Sequence, residues 1–593
     1  MKTKTKAGPP LISQRFGHGI GVSAGIAIGA AHVVEPALGS VPEYRIASGQ
    51  IDKELVRFRA SAQAARAQIG KLRRKARDLP SEAGDDLLLL LDAHRGMIES
   101  ERLIQGVENR IRERAINAEA AVQDWVHDLA ATFAAMTDPY LAARAEDVHE
   151  VGRRILLQLT DRKHVAFTSV PPGCIVVAEE LSPADTALMD PSVIAGFVTA
   201  LGGADSHTAI MARSLGLPAV LGLVDMVPTI RSGDQIILDG EAGEVIVHPD
   251  AQTLADYRRR IEARQRLERQ LSRLRGMPAI TRDKIRVTLQ ANLDLPREVE
   301  VARRAGAEGV GLVRTEFLFM NRPDLPSEDE QYNALRRIVE ASQGYPVTVR
   351  TIDVGGEKLA TSLGDRIGAG ANPALGLRAI RLALREPALL ETQLAAILRA
   401  GAHGPVRILL PMISVASEIR AVRRIMAKVV RRLRRRQIAI GDPLPEVGVM
   451  IEVPGAALAA DSLARESEFF AIGTNDLTMY TLAIDRGDEQ VADLYDPLHP
   501  GVLRLIQLTV DAANRRGIDV SVCGEMAGNP RHATLLVGMG LRQLSMTPNS
   551  LPRVKQRIRQ LDGAAAARRA QTILDQYDPE RVSALLDEFI EAL

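Results

Sequence analysis

The rhythm of apolar positions changes several times along the chain, and each change predicts a different kind of structure. FGHGIGVSAGIAIGAAHVV, residues 16–34, carries Gly17, Gly19, Gly21, Gly25 and Gly29 and no leucine. Those glycines would weaken a helix, so the segment reads as buried glycine-rich β structure, although basic MKTKTKAGPP before it mimics the start of a signal peptide. From about Ile51 to Leu159 apolar residues fall three and four apart, in RFRASAQAARAQIGKLRRKA, DDLLLLLDAHRGMIESERLI and AINAEAAVQDWVHDLAATFAAM. That spacing predicts about four amphipathic helices. The strand rhythm resumes in GCIVVAEE, AGFVTALGG and DQIILDGEAGEVIVHP, the last a hairpin pattern with Asp239-Gly240 as its turn. AQTLADYRRRIEARQRLERQLSRLRG is helical in pattern and charged, without a continuous core stripe.

From about residue 280 eight short apolar runs follow: RVTLQANL, GVGLVRTE, VTVRTIDV, RILLPMI, EVGVMIEV, FFAIGTND, DVSVCGEM and QLSMTP. Eight buried runs separated by amphipathic or loop segments predict a (β/α)8 TIM barrel. The chain is therefore expected to be multidomain α/β. It would have a flexible tail at 1–10, a discontinuous β/α domain at 11–45 and 160–250, and an inserted all-α helical bundle at 46–159. A linker helix at 251–280 and the barrel at 281–593 complete it. A length of 593 residues also exceeds what one core supports.

Composition narrows the function classes. With 46% hydrophobic residues, 25% charged residues and a formal charge of +1, neither disorder nor a basic nucleic-acid face is indicated. No run approaches the roughly 20 apolar residues that span a bilayer, so no stable membrane insertion is expected. Two cysteines, Cys174 and Cys523, form no disulfide framework and fit a reducing cytoplasm.

The chemistry gathers at the ends of the barrel runs, where Arg314 with Glu316, Arg350 with Asp353, Glu452, Asn475 with Asp476, and Cys523 stand. Carboxyl ends of barrel strands form one mouth, so these side chains are expected to converge. Glu452 and Asp476 suit a hard divalent cation, although each alone suits an ordinary ion pair equally well. Arg314, Arg350, Arg378 and Arg486 supply forked donors for phosphate or carboxylate. Cys523 reads either as a buried structural thiol or as a proton donor to an enolate carbon. No GxxxxGK[ST] loop is present, which points away from ATP as a phosphate donor.

A second centre lies in GGADSHTAIMARSLGLPAV, residues 202–220. Ser206 is placed to cap a helix whose first residue is His207, where amide donors and the helix dipole favour a phosphoryl group. Read alone, His207 fits a capping or packing role better than a nucleophilic one. Upstream, SPADT puts Ser182 and Pro183 at a helix start, followed by Asp185 and Thr186.

Together with GAEGVGLVRTEFLFM, VRTIDVGGEK, NPALGLRAIR, GVMIEVPGAA, FFAIGTNDLTMYTLAIDRG and CGEMAGN, that segment resembles Enzyme I, the phosphoenolpyruvate-protein phosphotransferase of the bacterial sugar phosphotransferase system. The resemblance runs over nearly the whole chain. It implies that phosphoenolpyruvate binds in the barrel with Mg²⁺ and phosphorylates His207, which passes the group to a histidine of the phosphocarrier HPr. By motif, Glu452 and Asp476 would hold metal, and Arg314, Arg350, Arg378, Asn475, Asp476 and Arg486 would bind phosphoenolpyruvate. Cys523 would protonate the enolate, Thr186 would orient His207, and the bundle would dock HPr. The resemblance further implies a homodimer through the barrel and a swing of the histidine domain about the linker. Many relatives have an arginine and a threonine where this chain has Ala204 and Asp205, which removes a cation and adds an acid beside His207. Rival readings are a nitrogen-branch paralogue without its sensory domain, a dikinase or synthase lacking room for a nucleotide domain, and a non-catalytic HPr-binding scaffold.

Overall fold

The computed structural model describes residues 14–34, 42–76, 81–134, 139–160, 170–181, 185–186, 189–203, 206–319, 324–354, 372–485 and 491–592. Expectations for the 1–10 tail, Ser182, Pro183, Ala204, Asp205 and Arg486 lie outside the described residues. The chain divides into two units, 1–264 and 265–593.

In the first unit, β1 (Arg15–His18), β2 (Ile20–Ser23) and β3 (Ile26–Val34) join β4 (Cys174–Ala178), β5 (Ile194–Thr199), β6 (Ala219–Leu221), β7 (Gln235–Asp239) and β8 (Glu244–Val247). The eight strands form one sheet in the order β1-β8-β7-β3-β4-β5-β6-β2. The amino-terminal segment is therefore β structure, and its glycines have a steric cause. A Cβ on Gly21 would lie 2.5 Å from the Gly240 carbonyl oxygen, and one on Gly29 would lie 2.3 Å from that of Gly173. Asp239 closes the β7–β8 turn by accepting from the amides of Glu241 and Ala242.

Among the described residues the helical stretch forms five helices rather than about four: α1 (Ile51–Ala76), α2 (Ser81–Glu99), α3 (Glu101–Arg114), α4 (Ala118–Ala134) and α5 (Pro139–Leu159). The additional break falls inside DDLLLLLDAHRGMIESERLI. There Ser100 takes extended dihedrals and its hydroxyl accepts from the Arg102 amide, starting a new helix in an apolar rhythm that does not falter. Phe58, Ile69, Leu91 and Ile111 are buried completely in the bundle core, each stabilising by about 1.5–3 kcal/mol.

Helix α6 (His207–Leu215) is shared by two cores. Ala209 and Ala212 face the sheet cluster, whereas Met211 belongs to the bundle cluster. Helix α7 (Ala251–Arg273) starts on the sheet of this unit: Tyr257 packs with Ile237 and Ile246 and donates to Glu244 at 2.6 Å, and Arg260 pairs with Asp239 at 2.6 Å. Its first turns are thus docked, which the missing core stripe did not foretell.

The second unit closes eight parallel strands into a barrel: β9 (Thr288–Leu293), β10 (Val310–Val313), β11 (Val347–Arg350), β12 (Val406–Leu410), β13 (Glu446–Ile451), β14 (Phe469–Ile472), β15 (Asp519–Val522) and β16 (Gln543–Met546). Each of the eight apolar runs supplies one strand. Alternate residues such as Val313, Ile408 and Ile451 join the cluster under the helices. Leu312, Leu409, Met450, Phe469, Ala471 and Cys523 make a separate cluster inside the barrel, as the two-residue period of strands requires. Gly448 makes room there, since a Cβ would stand 2.4 Å from the Phe469 ring.

Candidate active site

Barrel closure brings the strand-end residues together. Asp353 follows β11, Glu452 follows β13, and Asp476 lies in the first turn of the helix Thr474–Leu482 after β14. One oxygen of each lies within 4.8 Å of the others. Glu452 is 1% exposed and accepts from the Met412 amide at 2.6 Å. Burial first, then the Asp353 and Asp476 carboxylates, push its carboxyl well above the usual carboxylate range. Three crowded carboxylates with little water are a fit for a hard divalent cation, whose charge would offset both desolvation and repulsion. The Met412 backbone adopts φ 57°, a conformation that costs a non-glycine residue about 1–3 kcal/mol and marks many functional sites.

The arginines stand around these acids. Arg350 pairs with Glu316 at 3.1 Å and Asp353 at 2.9 Å, and Arg378 reaches the other Asp353 oxygen at 2.8 Å. Asp353 therefore orients two guanidinium groups as well as completing the acidic cluster. Tyr480 donates to the Ala374 carbonyl at 2.6 Å and accepts from Arg378 at 3.5 Å. The buried Nε atoms of Arg350 and Arg378 have no hydrogen-bond partner among the described residues, which leaves donors for an anionic ligand. Arg314 pairs with Asp294 at the end of β9, at 3.0 Å. Asn475 exchanges hydrogen bonds with Glu525, side chain to side chain and to the Glu525 amide, both at 2.9 Å.

Cys523 is 4% exposed, and burial followed by the Glu452 carboxylate pushes its thiol up to about 12. It holds its proton at neutral pH, as a proton donor must. The charges of Glu452, Arg350, Arg314 and Asp476 all act on this thiol, so one mouth contains them all. Asn292 donates to the Cys523 carbonyl at 2.9 Å and accepts from Ser545 at 2.6 Å, holding the cysteine across the barrel.

Gly524 is glycine for a packing reason. A Cβ there would lie 2.0 Å from the Thr474 hydroxyl and 2.7 Å from its amide. Thr474 opens the helix that carries Asn475 and Asp476. Gly524→Ala is expected to shift that helix, with destabilisation of about 1–3 kcal/mol from overpacking and a fall in metal affinity. A melting curve and a Mg²⁺ titration check both.

In the first unit His207 is the first residue of α6, and Ser206 caps it by accepting from the Ala209 amide at 3.3 Å. Thr208 donates to the Leu181 carbonyl at 2.7 Å, and Thr186 is completely buried. Asp353 and Glu316 were expected at the mouth without a specific role, and Asp353 joins the acids there; sequence reasoning missed Tyr480, Asn292 and Met412. Those three carried no local signal.

Among the described residues no helix is long and apolar enough to cross a membrane. Three family models match: PEP-utilising enzyme, N-terminal, over 18–144; PEP-utilising enzyme, mobile domain, over 170–243; and PEP-utilising enzyme, PEP-binding domain, over 268–563. A phosphoenolpyruvate-protein phosphotransferase of Cupriavidus necator is 46% identical, covering 96% of this chain and 98% of the relative. A protein of the same name from a Bacillus species is 38% identical over 96% of this chain and 97% of its own length, and one from Haemophilus influenzae is 38% identical over 96% and 98%. With such identity across both units, the chain belongs to the phosphoenolpyruvate-protein phosphotransferase family.

Proposed function

We propose that this phosphotransferase takes the phosphoryl group of phosphoenolpyruvate onto His207 and delivers it to a histidine of HPr. The observation that carries the reading is the meeting of Asp353, Glu452 and Asp476 with Arg350 and Arg378 around the protonated thiol of Cys523. Such a mouth suits an anion that loses a phosphoryl group and leaves an enolate.

Arg314, Arg350 and Arg378, joined by Arg486, hold the phosphate and carboxylate oxygens, and Asn475 helps orient the substrate. Glu452 and Asp476, with Asp353 beside them, would hold Mg²⁺, which would neutralise charge on phosphate and enolate oxygens. His207 attacks phosphorus as the neutral imidazole, so a nitrogen–phosphorus bond forms while the bond from phosphorus to the bridging oxygen breaks. The electron pair left on that oxygen becomes the ketone of pyruvate as the methylene carbon takes the Cys523 proton. Solvent then returns a proton to sulfur. The α6 amides stabilise the phosphoryl group, and Thr186 orients the imidazole. HPr docks on the α1–α5 bundle, the barrel forms a homodimer, and the protein works in the cytoplasm.

The test is incubation with Mg²⁺ and ³²P-phosphoenolpyruvate. Acid-labile, base-stable label should appear with release of pyruvate, and chelation should prevent both. Added HPr should then drain the label. Absence of label would overturn the reading, and label that HPr leaves in place would assign the second step to a different acceptor.

A further inference from the structure

Four charged groups link bundle helix α5 to the turn that carries Thr186. Glu150 receives Arg153 at 2.7 Å on one oxygen and Arg154 at 2.7 Å on the other. Arg153 extends to Asp185 at 3.3 Å. Arg154 is completely buried, Asp185 is 6% exposed, and Thr186 follows Asp185 directly. Two guanidinium groups and two carboxylates make a neutral set, and the set is neutral only with Asp185 docked. Paired buried charges of this kind are costly to separate, because the partner left behind is desolvated and uncompensated. Leu181, four residues before Asp185, is held to the histidine helix by the bond from Thr208 to its carbonyl. Met211, one turn along α6 from His207, packs in the bundle core.

We infer that Arg153 is a positioning residue for phosphoryl transfer: by fixing the Asp185–Thr186 turn to α5, it makes the helical bundle set the orientation of the His207 imidazole. The inference rests on the roles proposed above for His207 and Thr186, and Arg153 itself touches neither substrate nor phosphorus. It gives the bundle a part in aiming the nucleophile in addition to docking a carrier.

The experiment uses the full chain with Arg153→Gln and Arg153→Lys, alone and combined with Thr186→Val. Loss of aim at the nucleophile should lower the maximal rate of phosphoryl gain by about 10- to 100-fold, while the KM for phosphoenolpyruvate is unchanged. In ¹⁵N-histidine spectra the His207 ring signals should move toward a different tautomer balance, and lysine should restore much of both. Within the Thr186→Val background, Arg153→Gln should add little, because both act through one contact. A wild-type rate with unmoved ring signals, or losses that simply multiply, would overturn the inference. If Arg153→Gln does not fold, Asp185→Asn, which keeps the side-chain shape, carries the test with the same expectations. Label on a His207→Ala protein would instead overturn the underlying reading; an unlabelled His207→Ala protein beside a wild-type-like Arg153→Gln protein would remove this inference alone.

Discussion

His207→Ala should take no phosphoryl group from phosphoenolpyruvate and release no pyruvate, a loss of at least about 10⁴-fold of the kind seen when a nucleophile is removed. Its fold should be intact. The Ser206 side chain caps α6, and alanine is a better helix former than histidine. Loss of labelling with an unchanged melting transition separates a phosphoryl acceptor from a capping histidine, the role that the isolated motif favoured. An alanine variant that still gains acid-labile label would end the assignment.

Glu452→Gln should lower turnover by at least about 100-fold and yet make the metal-free protein more stable. The physical cause is the crowding of Glu452 with Asp353 and Asp476 in a buried site. Its folded-state pKa is raised by burial and those neighbours, so the stability linked to its proton is present in acid and is lost as pH rises through that raised pKa. Glutamine removes the charge and keeps an oxygen for the Met412 amide. Wild type should gain stability with added Mg²⁺, about 2.7 kcal/mol at a hundredfold excess over its Kd, and the variant should gain little. Melting curves at pH 8 with and without Mg²⁺ read both effects. A variant that keeps the full metal response would show that Glu452 is not a ligand.

Much of this architecture was legible because its causes are local. Eight apolar runs became eight strands, and the Asp239-Gly240 turn and the Ser206 cap were read from neighbouring residues. The break at Ser100 was lost because the apolar rhythm continues through it, although the serine was itself a cap signal. The docked start of α7 was lost because two side-chain contacts, from Tyr257 and Arg260, replace a core stripe.

The candidate site divides in the same way. Glu452, Asp476, Cys523, Arg314 and Arg350 could be selected because a strand end beside the mouth of a barrel exposes side chains to one space. What each does to the others depends on closure. Asn292 supports Cys523 from 231 residues away, and Gly524 is glycine because Thr474 occupies the space of a Cβ. The sequence by itself determined the strands, the helix starts and the chemistry-bearing residues, since side-chain period, caps and turns act over a few neighbours. Tertiary structure decided that Asp353 joins the acids while holding two arginines, and that Arg153 ties the bundle to the Thr186 turn, since charge pairing and burial are properties of groups brought together only by the folded chain.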